Sequence, residues 1–293
     1  MQLNKLIPAL KKIALQDGAN VNVDETWLRY HAYNKKRKTY MWCLVNRKAR
    51  IVIFFYEDTT DDEGVQKHGG RNRNVLKEFL GDAKIKSLQS DGYNVYMYLD
   101  NELMDIDHLC CLAHARAKFK YAFDQGSPQA RIFLEQIAKL YGMEDTYRRE
   151  KLTADEIYRR RNSKETTEVI EKIRTELYDL LANPDENRSE LMSKALNYLK
   201  NFWNQIFAYR NDREYSIDNM AAERAIRPIT VQRKNSLFFG SVKGIQNSAI
   251  YNTFIETCKQ AGVSFRDYFC KLLRELKKGR TDYENLLPMT ICK

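Results

Sequence analysis

The chain has 293 residues, 43% of them hydrophobic, and a net charge of +10. That length suits one large domain with an insertion, or two domains. No run approaches ~18 consecutive apolar residues, which excludes a membrane-spanning helix, and the positive balance favours a polyanionic partner, nucleic acid before an anionic membrane.

Residues 1–16 read as a short amphipathic helix, without the apolar core and small-residue cleavage site of a signal peptide. Residues 20–30, 39–46 and 49–56 are rich in Val, Ile, Tyr, Trp and Phe and read as strands. The short Asn46-Arg47-Lys48 connection joins the last two as an antiparallel hairpin. A helix is expected over 72–80, a strand over 85–90 stopped by Asp91-Gly92, and a further apolar strand over 106–112. The order β-β-β-α-β, then β-α, points to an α/β domain with a mixed sheet. After His114 the periodicity turns helical, with breaks at Gly126-Ser127-Pro128, Leu152-Thr153 and Asn183-Pro184. Helices over 130–141, 154–181 and 189–209 form a helical insertion. Helices over 217–228 and 243–261 return to the first domain, and 263–277 is an amphipathic tail. The expected organisation is a helical lead (1–19), a core in two parts (20–125 and 211–262), the insertion (126–210) and the tail (263–293).

The positive charge is clustered. Between Thr26 and Tyr56 stand Arg29, Lys35, Lys36, Arg37, Lys38, Arg47, Lys48 and Arg50, with no acid. A second cluster interleaves Tyr147, Arg148 and Arg149 with Tyr158, Arg159, Arg160 and Arg161. Aromatics beside arginines suit backbone tracking and base stacking, although a solvated helix face is the plainer reading of this second cluster. In the third cluster Glu223 is set among Arg224, Arg227, Arg233 and Lys234, and no acidic residue follows from Arg224 to Tyr251. A lone carboxylate with a cationic arm suits a metal ligand beside a polyanion; a basic surface helix is the alternative. Asn219, Glu223 and Arg227 share one helical face, Asp218 is positioned to cap, and Pro228 is expected to end or kink the helix. The 6 cysteines are scattered, which favours a reducing cytosol over a disulfide scaffold.

Asp24 lies within the first strand and Asp91 ends the fourth. A carboxylate in an apolar strand is costly unless it is paired or metal-bound. Asp24, Asp91 and Glu223 converge if those strands are neighbours and the late helix packs across them. A strand-end cap for Asp24 and an Asp-Gly turn for Asp91 are the structural alternatives. Three carboxylates suffice for Mg²⁺, which keeps water and substrate phosphates in its shell. Two such ions about 3.5–4 Å apart serve an in-line displacement at phosphorus.

These residues resemble the transposases of insertion sequence 66, within the DDE transposases of ribonuclease H-like fold. Asp24-Glu25-Thr26 is similar to the family's D-E-T block, and Asp91-Gly92-Tyr93 to its D-G-Y block. The run from Cys111 to Phe119 resembles the C-W-A-H-A-R-R-K-F block, with Leu112 in place of Trp and Ala117 in place of Arg. Asp218-Asn219, Glu223-Arg224, Arg227, Arg233-Lys234-Asn235 and Phe239-Gly240-Ser241 resemble the last block nearly throughout. The resemblance implies a ribonuclease H-like mixed sheet flanked by helices, with an all-α insertion before the last catalytic helix. It implies Asp24, Asp91 and Glu223 as catalytic metal ligands for Mg²⁺ or Mn²⁺, with Asn219 orienting Glu223 from one turn away. Arg224, Arg227, Arg233 and Lys234, with His114, Arg116 and Lys118, become the expected DNA contacts.

The implied reaction is hydrolysis at the element's ends followed by strand transfer into target DNA, by a homo-oligomer assembled on paired ends in the bacterial cytoplasm, nucleoid-associated when bound. Met1 stands close before Asp24, so the family's N-terminal region, with its zinc-binding module and DNA-reading element, is expected to be missing. A DNA-binding remnant and a ribonuclease H-like nuclease that cuts without joining are the rival readings. Cys111 and His114 form C-x-x-H, but zinc needs four ligands and no second pair stands at suitable spacing, so zinc is not expected there. Cys111 then packs as a small hydrophobe, or His114 meets the DNA.

Overall fold

A computed structural model describes residues 2–32, 35–56, 58–60, 66–68, 71, 73–92, 105–183 and 188–292. Tyr93 and Pro184 lie outside the described residues, as do the side chains of Lys35 and Lys36. The chain divides into two compact units, the first made of Met1–Asp107 and Met220–Lys293, the second of His108–Asn219.

The first unit is built on a mixed sheet. Its strands are β1 (Asn20–Ala32), β2 (Lys35–Asn46), β3 (Ile51–Phe55), β6 (Ser87–Ser90) and β7 (Asp107–Cys110), where the chain leaves the unit. A separate short ribbon pairs β4 (Asp58–Thr60) with β5 (Gln66–His68). The order in the large sheet is β3-β2-β1-β6-β7. β1 and β2 pair antiparallel from Asn22↔Val45 to Ala32↔Lys35, and β1 runs parallel to β6 from Asn20↔Ser87 to Asn22↔Gln89. The β2–β3 hairpin closes through residues 47–50, with Arg50 in the left-handed region at φ 56°.

Side chains alternate across the pleat, so each face collects its own core. Val21, Val23, Trp42, Leu44, Ile51, Ile53 and Phe55 face one layer of helices. In it are α1 (Ile7–Ala14), α2 (Arg73–Leu80) and α11 (Phe265–Lys277). Phe55 and Phe79 stack there with centroids 3.7 Å apart. Leu28, Tyr30, Met41, Cys43, Val45, Val52 and Phe54 face the other way. They meet Ala222, Ala225, Ile226 and Ile229 of α9 (Met220–Ser236), and Ile245 and Ala249 of α10 (Val242–Ala261).

α9 runs through Pro228 instead of stopping there. Its buried stripe of Ala222, Ala225, Ile226 and Ile229 rests on the sheet, and that packing outweighs the missing N–H of the proline. α10 closes the β3 edge with two threonines one turn apart. Thr257 Oγ1 accepts from Val52 N–H at 3.1 Å and donates to its carbonyl at 3.0 Å. Thr253 Oγ1 accepts from Phe54 N–H at 2.9 Å. The strand edge is thereby satisfied by a helix instead of being left to pair with another chain.

The second unit is helical apart from the end of β7. Its helices are α3 (Leu112–Asp124), α4 (Ala130–Arg149), α5 (Ala154–Arg161), α6 (Lys164–Ala182), α7 (Glu190–Asn201) and α8 (Trp203–Phe207). The helix expected over 154–181 is two, because Asn162 and Ser163 interrupt it and Ser163 caps α6 through Thr166 N–H. Thr153 and Glu156 form a capping box at α5. Phe119 and Phe133 stack at 4.2 Å between α3 and α4.

Arg161 belongs to the interior of this unit and not to a solvated basic face. It is 5% exposed. It grips Glu144 at 2.7 and 2.8 Å and donates to the carbonyls of Tyr209 (3.0 Å) and Tyr215 (2.9 Å). Removing one partner of a buried ion pair strands the other charge. Arg161→Ala is therefore expected to lower stability by about 3–5 kcal/mol, read by urea denaturation of the full chain. Arg159→Ala, an exposed neighbour, is expected to change it by less than about 0.5 kcal/mol.

Candidate active site

The parallel β1–β6 pairing carries a ladder of polar side chains. Ser87 Oγ donates to Asn20 Oδ1 at 2.8 Å, and Asn22 Nδ2 donates to Gln89 Oε1 at 3.0 Å. Both pairs are Cα register partners. The pairing ends at Asn22↔Gln89, and Asp24 and Asp91 each follow two residues beyond it. Gly92 follows at φ 79°, a left-handed turn that glycine makes without a Cβ clash, and its N–H donates to Ser90 Oγ at 3.2 Å.

Beyond these hydrogen-bonded rungs, the Asp91 charge reaches Asp24. Burial holds the Asp24 carboxyl well above the usual carboxylate range, and the charges of Glu25, Asp91 and Glu223 push the same way. The Glu25 N–H, donating to Asp24 Oδ1 at 2.9 Å, opposes the rise. The antiparallel partner of Asp24 is Cys43, whose buried thiol is pushed up by burial and by the Asp24 and Glu256 charges. The first unit thus brings the fields of Asp91 and Glu223 onto Asp24. Among the described residues, the three carboxylates do not form a set with every ligand atom within 4.8 Å of the others.

Glu223 is half-buried in the first turn of α9, and Ala222 and Ala225 beside it let that turn lie close on the sheet. Glu25 points to the opposite face of β1, where Arg71 holds it at 2.6 Å. Downstream on α9, Arg224, Arg227 and Lys234 are exposed. Arg224 and Arg227 line an open groove of about 650 Å³ with Glu256 and Lys259 of α10. Arg233 sits differently. It donates to Thr26 Oγ1 at 2.9 Å and to the Trp27 carbonyl at 3.0 Å, and its guanidinium lies 4.0 Å over the Trp27 ring. These contacts clamp the end of α9 to β1.

Cys111, His114, Arg116, Lys118 and Asn219 belong to the second unit. Asn219 is fully buried, and its backbone N–H donates to Cys111 Sγ at 3.2 Å. It lies just before the first residue of α9 rather than within the helix. Burial, then the Asp218 carboxylate, raises the Tyr141 phenol. His114 is half-buried, while Arg116 and Lys118 are exposed, with Lys118 Nζ 4.8 Å over the Tyr198 ring.

Sequence reasoning missed Asn20, Asn22, Ser87 and Gln89, the rungs that precede the two aspartates. Their signal was present: Asn-x-Asn-x-Asp in one strand and Ser-x-Gln-x-Asp in the other. Arg71 had no comparable signal.

The sequence pattern described as the IS66 transposase family matches residues 1–247. The chain belongs to that family. Two relatives in Sinorhizobium fredii (strain NBRC 101917 / NGR234) are named uncharacterized proteins y4jD and y4qI. The first is 28% identical over 212 residues, covering 69% of this chain and 40% of the relative. The second is 28% identical over 294 residues, covering 94% of this chain and 51% of the relative. The chain thus spans about half the length of these relatives, or less.

The raised Asp24 carboxyl has a consequence for stability. The folded state holds that proton more tightly than the unfolded chain does. Its contribution is therefore fully present below the ordinary Asp pKa of about 4 and is lost as pH rises through the folded value. Asp24→Asn mimics the protonated form. It is expected to raise Tm at pH 7 by about 2–4 °C for each kcal/mol of relieved repulsion, with the gain shrinking toward pH 4. Thermal melts of both proteins across that pH range check this.

Proposed function

We propose that the chain is the catalytic part of a DDE-type transposase, with a ribonuclease H-like core in the first unit and the second unit as its helical insertion. The observation that carries this reading is the buried Asp24 carboxyl, on which the charges of Asp91 and Glu223 act. A carboxyl raised by burial and then by like charges is a site that a hard divalent cation would relieve, and oxygen-only ligands suit Mg²⁺ or Mn²⁺. Asp24, Asp91 and Glu223 would hold such ions. When bound, the ions supply positive charge to the attacking and leaving oxygens of an in-line displacement.

The rest of the work falls to this chain's own residues. The amide and hydroxyl rungs at Asn20–Ser87 and Asn22–Gln89 fix the register that leads into Asp24 and Asp91. Arg233 fixes α9 on β1 and so fixes the height of Glu223. Arg224, Arg227 and Lys234 neutralise phosphates along the DNA, with His114, Arg116 and Lys118 as contacts from the second unit. The substrate is DNA at element ends and then target DNA, cut and joined by a homo-oligomer. No helix among the described residues is long and apolar enough to cross a membrane.

Asp24→Asn and Glu223→Gln are each expected to reduce Mg²⁺-dependent nicking and strand transfer to background while DNA binding persists. Gel assays with and without Mg²⁺ read this, and unchanged nicking would sink the assignment. Binding is expected to weaken steeply with salt. Arg224→Ala, Arg227→Ala and Lys234→Ala should each reduce the slope of log K against log salt by about 1, whereas equal slopes would remove these side chains from the interface.

A further inference from the structure

The segment that follows α9 presents an apolar tip beside β1. Leu237 is 66% exposed, the most exposed of the large hydrophobics among the described residues. It sits at φ 60°, a left-handed conformation that a leucine rarely adopts. Strain of this kind persists only where the surroundings enforce it. Here they do so from both sides. Leu237 N–H donates to the Arg233 carbonyl at 3.1 Å. Phe239 N–H donates to the Arg29 carbonyl at 2.8 Å, and His31 N–H to the Phe239 carbonyl at 3.0 Å. The Phe238 ring stacks on His31 with centroids 4.1 Å apart. The backbone is pinned to β1, and the Leu237 side chain is held out into solvent.

The neighbouring face of β1 and β2 is cationic and aromatic. Trp27 and Tyr40 are register partners. Arg29 lies 5.2 Å over the Trp27 ring, and Lys38 lies 5.4 Å over the Tyr40 ring. Arg29, Lys38 and Lys234 are exposed. An apolar side chain on a rigid mount, pinned to a strand that carries exposed cations, suits entry into a stack of bases whose phosphates those cations hold.

We propose that Leu237 is a wedge that opens one base step of bound duplex DNA, with Arg29, Lys38 and Lys234 gripping the backbone beside it. Unstacking would free the strand that the carboxylates act on. The proposal rests on the reading of the chain as a DNA-acting enzyme, and its test separates the two.

Relaxed closed-circular plasmid is incubated with the full chain in EDTA, which prevents nicking, and treated with a metal-independent topoisomerase. Wedge insertion untwists the duplex, so the wild type is expected to shift the linking number. Leu237→Ala and Leu237→Gly should lose the shift yet bind plasmid within about twofold of wild type, because the cations that dominate affinity remain. Leu237→Met should keep it. Leu237→Gly should also melt higher than wild type, since glycine relieves the left-handed strain, so loss of the shift there is not loss of fold. A shift retained by Leu237→Ala overturns the wedge. Binding by the wild type without any shift overturns the wedge alone, and failure of the wild type to bind DNA overturns both it and the enzyme reading.

Discussion

The register of β1 against β6 is the constraint on which the first unit depends. Parallel strands a single residue out of step would turn every side chain to the opposite face, sending Asp24 or Asp91 into the apolar layer beneath Trp42 and Phe55. Apolar packing alone does not discriminate strongly between such registers in a sheet buried on both faces, because both faces are apolar. The amide and hydroxyl rungs do. Asn22 and Gln89 are 6% and 4% exposed, and a slipped register would leave both amides unpaired in the core. The hydrogen-bonded pairs therefore fix the register that leads into Asp24 and Asp91.

That arrangement shows how the unit divides its polar residues between fold and chemistry. Thr253 and Thr257 close the β3 edge, Arg71 holds Glu25, and Arg233 holds α9 on β1. Each is satisfied by its neighbours and serves to make the backbone rigid. Asp24 is the exception: its environment raises its pKa and leaves a tension that a bound cation would discharge. Strain in Leu237 is a second departure from local preference, a few residues beyond the clamp at Arg233. Both departures sit on rigid mounts, as expected where a protein stores unfavourable geometry for use.

Basic residues divide in the same way, and their sequence context does not reveal how. Arg159, Arg160 and Arg161 stand side by side, yet Arg161 alone turns inward to Glu144 and two backbone carbonyls while its neighbours stay in solvent. Arg227 and Arg233 lie on one helix, yet only Arg233 packs over Trp27. A guanidinium serves equally well for a phosphate, a carboxylate or a ring of carbonyls, so residue type leaves the partner open.

The succession of the main strands along the chain, the helical character of residues after His114 and the likeness of the four motif blocks to the IS66 transposases were legible from the chain alone. They rest on local periodicity, turn residues and short spacings, which the chain carries wherever it folds. The passage of α9 through Pro228 was not legible, because packing against the sheet outweighed a local breaker. Nor was the break at Asn162-Ser163, since its cap sits inside an otherwise helical pattern. Which carboxylates share one field, which arginines are structural and which leucine is held out at a strained angle were decided only by tertiary structure. Those outcomes depend on pairs such as Asn22 with Gln89, Arg233 with Trp27 and Phe239 with Arg29, whose members are far apart in sequence and become neighbours only when the sheet has formed.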